Sequence, residues 1–318
     1  MTRAPWDQLV LSGLFRILAR LERHGPTLPT PATLRYPPTF QVGPPRGGTT
    51  LIRQLIGHSI PTSYLSNLSR LSWYHAGRPL PVTTARLAAT LDRLAPRISY
   101  ESTYGKVPAL AGMAECEILW DHWFGTEQGP IEPGVLSEAR KQRIYEAVAA
   151  TESGFRRPFV NKTSVLALRI RALCEIFPTA LFIRTRRDPV DTAQSILLAR
   201  RHQFSEWIGA RPKACAQNPP EDLVMQACRQ VVCIEQSIDA EQRAVDDDRF
   251  LEVEYRAVCN RPRHELRRIA AFLESHGVAA PILRQPPASF PYAQGRTTDA
   301  ATYEALRAGV KELGGQVR

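Results

Sequence analysis

The chain has 318 residues, 43% of them hydrophobic and 23% charged, with a formal net charge of +10. This composition suits a packed globular core and excludes a fibrous or disordered chain. No apolar run reaches transmembrane length and no secretory leader is visible, so a cytoplasmic location is expected. The positive charge suits nucleic acid, an anionic membrane surface or an anionic cofactor. Most of it is arginine, with lysine only at Lys106, Lys141, Lys162, Lys213 and Lys311. That distribution favours an ordinary basic surface, and no nucleic-acid partner is expected. Six cysteines lie at 116, 174, 215, 228, 233 and 259 without any C-x-x-C pair, which reads as free thiols and no structural zinc.

Residues 6–21 carry an amphipathic helical pattern, with Leu9, Leu11, Leu14, Phe15, Leu18 and Leu21 as its apolar members. Such a helix lies on a membrane surface or packs on protein, and its weakly basic polar face favours packing. His24–Pro38 is proline-rich and extended, so 1–38 reads as a helix and linker ahead of a domain over 39–318. Phe40–Val42 is an apolar strand, followed by the loop Gly43–Gly48 and a helix opening at Thr49. The helix places Leu51, Ile52, Leu55 and Ile56 on one face. Gly47 and Gly48 let the backbone approach a ligand, and unpaired amides at the helix start make an anion seat. Gly43 and Gly48 have P-loop spacing, but Thr49-Thr50 follow where a nucleotide kinase places Lys and Ser or Thr. The cation stands earlier, at Arg46. A lower-charged anion held without a metal is the expectation.

Ser59–Asn67 reads as a second short strand. Residues 68–135 lose clear periodicity and gain rings, among them Trp73, Tyr74, Tyr100, Trp120 and Trp123. An acceptor-binding insertion is expected there, with helices over Arg86–Leu94 and Glu115–Trp123. Next come a helix over Ser137–Thr151, a strand over Phe159–Lys162, a helix over Ser164–Phe177 and a strand over Ala180–Thr185. Strand, helix, strand in that order predicts a parallel crossover. Asp188 caps a helix starting at Pro189, which puts Arg187 at a strand's carboxyl end and Ser195 two turns on. Ligands of open α/β sheets bind at those ends. A scaffold helix over 221–246, a strand over Leu251–Tyr255, a helix over Arg263–Ser275, a loop over 281–297 and a helix over 298–313 complete the chain.

Pro45-Arg46-Gly47-Gly48-Thr49-Thr50 after one strand, and Arg187-Asp188-Pro189-Val190-Asp191 through Ser195 after another, resemble the PAPS-dependent sulfotransferases. Asn161-Lys162-Thr163 is similar to a segment of the tyrosyl-protein and carbohydrate branches, and Leu251–Tyr255 to the strand whose tyrosine lies against adenine. The resemblance implies a P-loop-like three-layer α/β fold, with a mostly parallel central sheet flanked by helices. It implies PAPS as co-substrate, no metal, and a hydroxyl-bearing acceptor. Pro45, Arg46, Gly47, Gly48, Thr49 and Thr50 would grip the 5′-phosphosulfate. Arg187 and Ser195 would grip the 3′-phosphate, Tyr255 would lie on adenine, and Gly295 and Arg296 would belong to a closing loop. Arg46 and Lys162 are the expected catalytic cations.

The base must sit beside the acceptor hydroxyl. Glu101 and His75 are the first candidates, followed by Glu115, Asp121 and His122. A P-loop kinase and a non-catalytic polyanion-binding module remain as other readings. Mg²⁺ dependence would mark the first, and a steep salt slope on DNA the second. The acceptor and the oligomeric state stay open.

Overall fold

Four short parallel strands carry the architecture. They are β1 (Thr39–Val42), β2 (Val160–Lys162), β3 (Leu181–Arg186) and β4 (Phe250–Glu254), in the sheet order β2-β1-β3-β4. The structure is a computed structural model that describes residues 12–20, 33–77, 81–94, 99–100, 107–126, 129–203, 207–217, 222–292 and 295–315. Side chains alternate across the sheet. Phe40, Val42 and Phe182 enter one apolar cluster, whereas Leu181, Ile183 and Val253 enter the cluster on the opposite face. Both faces are therefore covered, as a parallel sheet requires.

The helices, in chain order, start with α1 (12–20) and α2 (Thr49–Ser59). They continue with α3 (Asn67–Ala76), α4 (Pro81–Leu94), α5 (Glu117–Phe124), α6 (Glu138–Phe155) and α7 (Ile170–Ile176). The remainder are α8 (Pro189–Gln203), α9 (Lys213–Ala216), α10 (Leu223–Gln242), α11 (Tyr255–Asn260), α12 (Pro262–Ser275) and α13 (Ala300–Glu312). Helices α2 and α12 cover one sheet face through Ile52, Leu55, Leu266 and Ile269. Helices α5, α6, α7 and α10 cover the other through Trp120, Ile144, Leu173 and Ile234. A satellite cluster under α1, α3 and α4 holds Phe15, Leu68 and Ala85. Among the described residues no helix is long and apolar enough to cross a membrane.

Three local expectations change. Ser59–Asn67 is not a strand: isolated bridges join Ser63 to Phe159, just before β2, and Ser66 to Met113, outside the sheet. Ser66 instead caps α3 in a reciprocal capping box with Ser69, a helix start that the weak periodicity of this stretch hides. Ser164–Phe177 is not one helix but a 3-10 turn (Ser164–Leu168) and α7, broken at Arg169, whose φ is −137°. The apolar members still point inward, because Leu166, Ile170, Leu173 and Phe177 are all buried. The third difference is at β4, where Tyr255 is the first residue of α11 and not the last of a strand.

Candidate active site

The carboxyl ends of the four strands lie side by side, and each delivers one part of the site. In sheet order these are Lys162 ending β2, the loop Gly43–Gly48 after β1, Arg187 just past β3 and Tyr255 just past β4. The register is tight, with Gln41 opposite Lys162 and Val42 opposite Arg184. Adjacent strands lie about 4.8 Å apart, so the strands bearing Lys162 and Arg187 are about 10 Å apart with the glycine loop between them.

The loop is held in an unusual backbone. Gly48 has a φ of +92° and the non-glycine Arg46 a φ of +65°, a left-handed conformation that costs an arginine energy. Its surroundings enforce it. Arg187 Nη1 donates to the Arg46 carbonyl at 2.9 Å, and Arg46 Nε donates to Ser195 Oγ at 3.1 Å. Buried Gln41 donates its Nε2 to the Thr49 carbonyl at 2.8 Å and to Thr185 Oγ1 at 3.0 Å, tying the start of α2 to β3. That start has no side-chain cap and no acidic residue in its first turn. Its positive end is left for a ligand.

Gly48 also backs onto the Tyr255 ring, where a β-carbon would stand 2.1 Å from Cδ2. Gly48→Ala is therefore expected to move the ring or the loop and to cost about 1–3 kcal/mol. Thermal denaturation should show the loss. A variant with wild-type melting would show that the loop does not depend on this contact.

A cavity of about 1060 Å³ opens over the strand ends. Lys162 is 8% exposed, donates to Thr50 Oγ1 at 3.4 Å and forms an ion pair with Glu115. Cys116 follows, at a left-handed φ of 52°, and Glu117 opens α5. This kink brings Glu115 and Glu117, two residues apart, to the same cavity. The Cys116 thiol is pushed up to about 12 by burial, so it is no nucleophile at neutral pH.

Glu117 sits in a different environment from Glu115. Ser164 Oγ accepts from the Ala210 amide at 2.9 Å and donates to Glu117 Oε1 at 3.2 Å. Burial, reinforced by the neighbouring Glu115 charge, pushes the Glu117 carboxyl up to about 7, while Lys162 and the Ser164 bond oppose the shift. One turn on, burial also raises Asp121. Gly209, at a φ of +67°, closes the wall: a β-carbon there would lie 2.5 Å from Ser164 Oγ and 3.0 Å from Pro45 Cβ. The site thus joins three cations, a bare helix start and a carboxyl that titrates near neutrality.

The family profile described as "Sulfotransferase family" matches residues 37–276. The chain belongs to the sulfotransferase family. The sulfotransferase fold agrees with solved bacterial structures. The crystal structure of sulfotransferase STF9 from Mycobacterium avium matches at a TM-score of 0.54 and 15% identity, over 96% of this chain and 75% of that one. Sulfotransferase STF1 from Mycobacterium tuberculosis H37Rv matches at 0.52 and 15% identity, over 98% of this chain and 83% of that one. At those identities the likeness concerns the fold alone. No curated protein shows significant similarity to the chain.

In this sulfotransferase Pro45, Arg46, Gly48, Thr49, Thr50, Lys162, Arg187 and Tyr255 line the cavity. Gly47 turns behind the loop, donating to the Pro44 carbonyl at 3.1 Å, and Ser195 contacts Arg46. Gly295 and Arg296 are not among the lining residues. The Gly295 amide donates to Asp191 Oδ1 at 3.1 Å and its carbonyl accepts from Gln194 Nε2 at 3.0 Å, while Arg296 is exposed. His75 stands apart from the cavity lining, sharing a 3.0 Å hydrogen bond with Ser12 and stacking on Phe15 under α1. His122 packs on Trp73 instead. Glu101 lies outside the described residues. Glu115 and Asp121 do line the cavity.

Nothing in the sequence alone singles out Glu117, Ser164 and Gly209. The spacing Glu-Cys-Glu was visible in the sequence. What aims both carboxylates into one cavity is the left-handed Cys116, and no residue type at that position announces it.

Proposed function

We propose that this sulfotransferase transfers a sulfuryl group from PAPS to an acceptor hydroxyl by in-line displacement. The observation that carries the reading is the row of strand ends: a glycine loop with an uncapped helix start, flanked one strand away on each side by Lys162 and Arg187. PAPS has two anionic ends, and these stations match both. The close approach at Gly48 and the bare amides of α2 suit the 5′-phosphosulfate. Arg187 and Ser195 suit the 3′-phosphate, and Tyr255 offers a ring to adenine. Helices α3 and α5 of the 68–135 segment supply the acceptor wall.

The chemistry follows from the charges. As the acceptor oxygen attacks sulfur, the bond from sulfur to the bridging phosphate oxygen breaks, and negative charge grows on that oxygen. Lys162 and Arg46 stabilise it, and the ion pair with Glu115 aims Lys162. The hydroxyl proton passes to Glu117, whose carboxyl titrates close to working pH. Adenosine 3′,5′-bisphosphate and the sulfated acceptor leave.

The test is calorimetric titration with adenosine 3′,5′-bisphosphate and with 5′-AMP, in the absence of metal. The bisphosphate should bind more tightly. Arg187→Ala should weaken it by about tenfold to a hundredfold, the value of a charge-assisted hydrogen bond. AMP binding should fall less, through the lost brace on the Arg46 carbonyl. Equal loss for both nucleotides would place Arg187 elsewhere. A requirement for Mg²⁺ would favour a kinase.

A further inference from the structure

Among the described residues four cations line the cavity, and three of them are engaged at the strand ends. Lys162 pairs with Glu115, Arg46 holds Ser195, and Arg187 holds the loop carbonyl. The fourth is Arg70, on α3. Asn67, Arg70 and Tyr74 all line the cavity, and their spacing puts them on one face of α3. Arg70 stands beside Cys116, and so next to the two glutamates where the acceptor hydroxyl is expected to lie. Its Nε is buried with no hydrogen-bond partner, and none of the ion pairs among the described residues uses its guanidinium. The carboxylates of the same wall are otherwise committed. Glu115 is held by Lys162, and Glu117 by Ser164. Asp121 feels Arg169.

We propose that Arg70 recognises an oxyanion carried by the acceptor, so that the substrate is an acidic alcohol or phenol and not a neutral one. This rests on the sulfotransferase reading above. An acceptor that fills the cavity removes water from Arg70. A neutral acceptor leaves a desolvated guanidinium without a partner, which is costly. A carboxylate or phosphate several ångströms from the reacting hydroxyl replaces that water with charge-assisted, two-point hydrogen bonds. A site built to pair one polar group discriminates strongly against the analogue lacking it. Asn67 stiffens this wall, because its Nδ2 donates to the Val107 and Ala109 carbonyls at 2.9 and 2.7 Å. Tyr74, 62% exposed, marks the cavity mouth where the rest of the acceptor emerges.

The experiment compares matched acceptors with PAPS as donor: 4-hydroxyphenylacetate against its primary amide for a carboxylate, and glycerol 3-phosphate against glycerol for a phosphate. Product is quantified by mass spectrometry, and adenosine 3′,5′-bisphosphate binding is measured on the same samples. Wild type should favour the acidic member of at least one pair by about tenfold or more in kcat/KM. Which pair responds identifies the oxyanion. Arg70→Met should shrink that preference to within about twofold, and Arg70→Lys should restore part of it. Bisphosphate binding close to wild type in Arg70→Met confirms an intact fold. The proposal is overturned if wild type treats the pairs alike, prefers the neutral members, or binds the bisphosphate yet sulfates neither acid. It is also overturned if Arg70→Met keeps the preference. Failure of wild type to bind the bisphosphate overturns the cofactor reading, and this one with it.

Discussion

Lys162→Ala is expected to lower kcat by about a hundredfold or more, while affinity for adenosine 3′,5′-bisphosphate changes by less than about threefold. The split follows from where the lysine stands. In the proposed mode the ground-state grip on the 5′ end comes from the amides at the start of α2 and from the loop, which Gln41 and Arg187 fix without help from Lys162. Lys162 touches Thr50 Oγ1 at one side of that loop and Glu115 on the other. Its interaction with the bridging oxygen strengthens only as charge develops there, so it favours the transition state over the bound substrate. The substitution also strips Glu115 of its cation, and a half-buried carboxylate left alone could itself disturb the site. The double variant Lys162→Ala, Glu115→Gln removes that complication and should be as slow as the single variant. Turnover with PAPS and a competent acceptor, set beside equilibrium binding, decides the matter. A near-normal kcat, or a binding loss as large as the turnover loss, would remove Lys162 from the chemistry.

Much of this arrangement is legible in the sequence. The glycine loop announced itself because its backbone demands glycine, and the strands leading to Lys162 and to Arg187 were legible as apolar runs broken by a charged residue or by Pro189. Strand order was not legible, since nothing local in β2 or β3 says which lies beside β1. That order sets Lys162 and Arg187 on opposite sides of the loop. The setting of His75 was not legible either, because residue type and distance along the chain do not reveal packing. His75 is taken up by Ser12 and Phe15 from α1, a helix whose partner was invisible in sequence. Glu115 was expected inside a helix but precedes it, because Cys116 turns left-handed and α5 starts one residue later. Glu117 emerged only once burial and the Ser164 contact could be seen.

Glu117→Gln should produce two effects that pull in opposite directions. Activity should fall by about a hundredfold or more, the usual contribution of a positioned base. In wild type, kcat/KM should rise with pH through about 7, where the Glu117 carboxyl loses its proton. That limb should vanish in the variant, whose residual rate should be flat there. Stability should move the other way. The folded chain raises this carboxyl from 4.5 to about 7, chiefly by burying it. A raised carboxyl pKa means that the folded state holds the proton more tightly than the unfolded state. Its contribution is therefore complete below about pH 4.5 and is lost as pH climbs through 7. Above that, wild type carries an ionised carboxylate in a partly buried place beside Glu115. Glutamine is neutral throughout and its side-chain oxygen still accepts from Ser164, so the variant escapes the loss. Denaturant melts should show Glu117→Gln more stable than wild type by about 1–2 kcal/mol at pH 8, with the advantage gone near pH 4.5. A gain that is the same at both pH values would mean that packing, not ionisation, separates the two proteins. An acid limb near pH 7 that survives the substitution would assign the proton to another group, and Asp121, one turn further along α5 on the same cavity wall, would be the next to test.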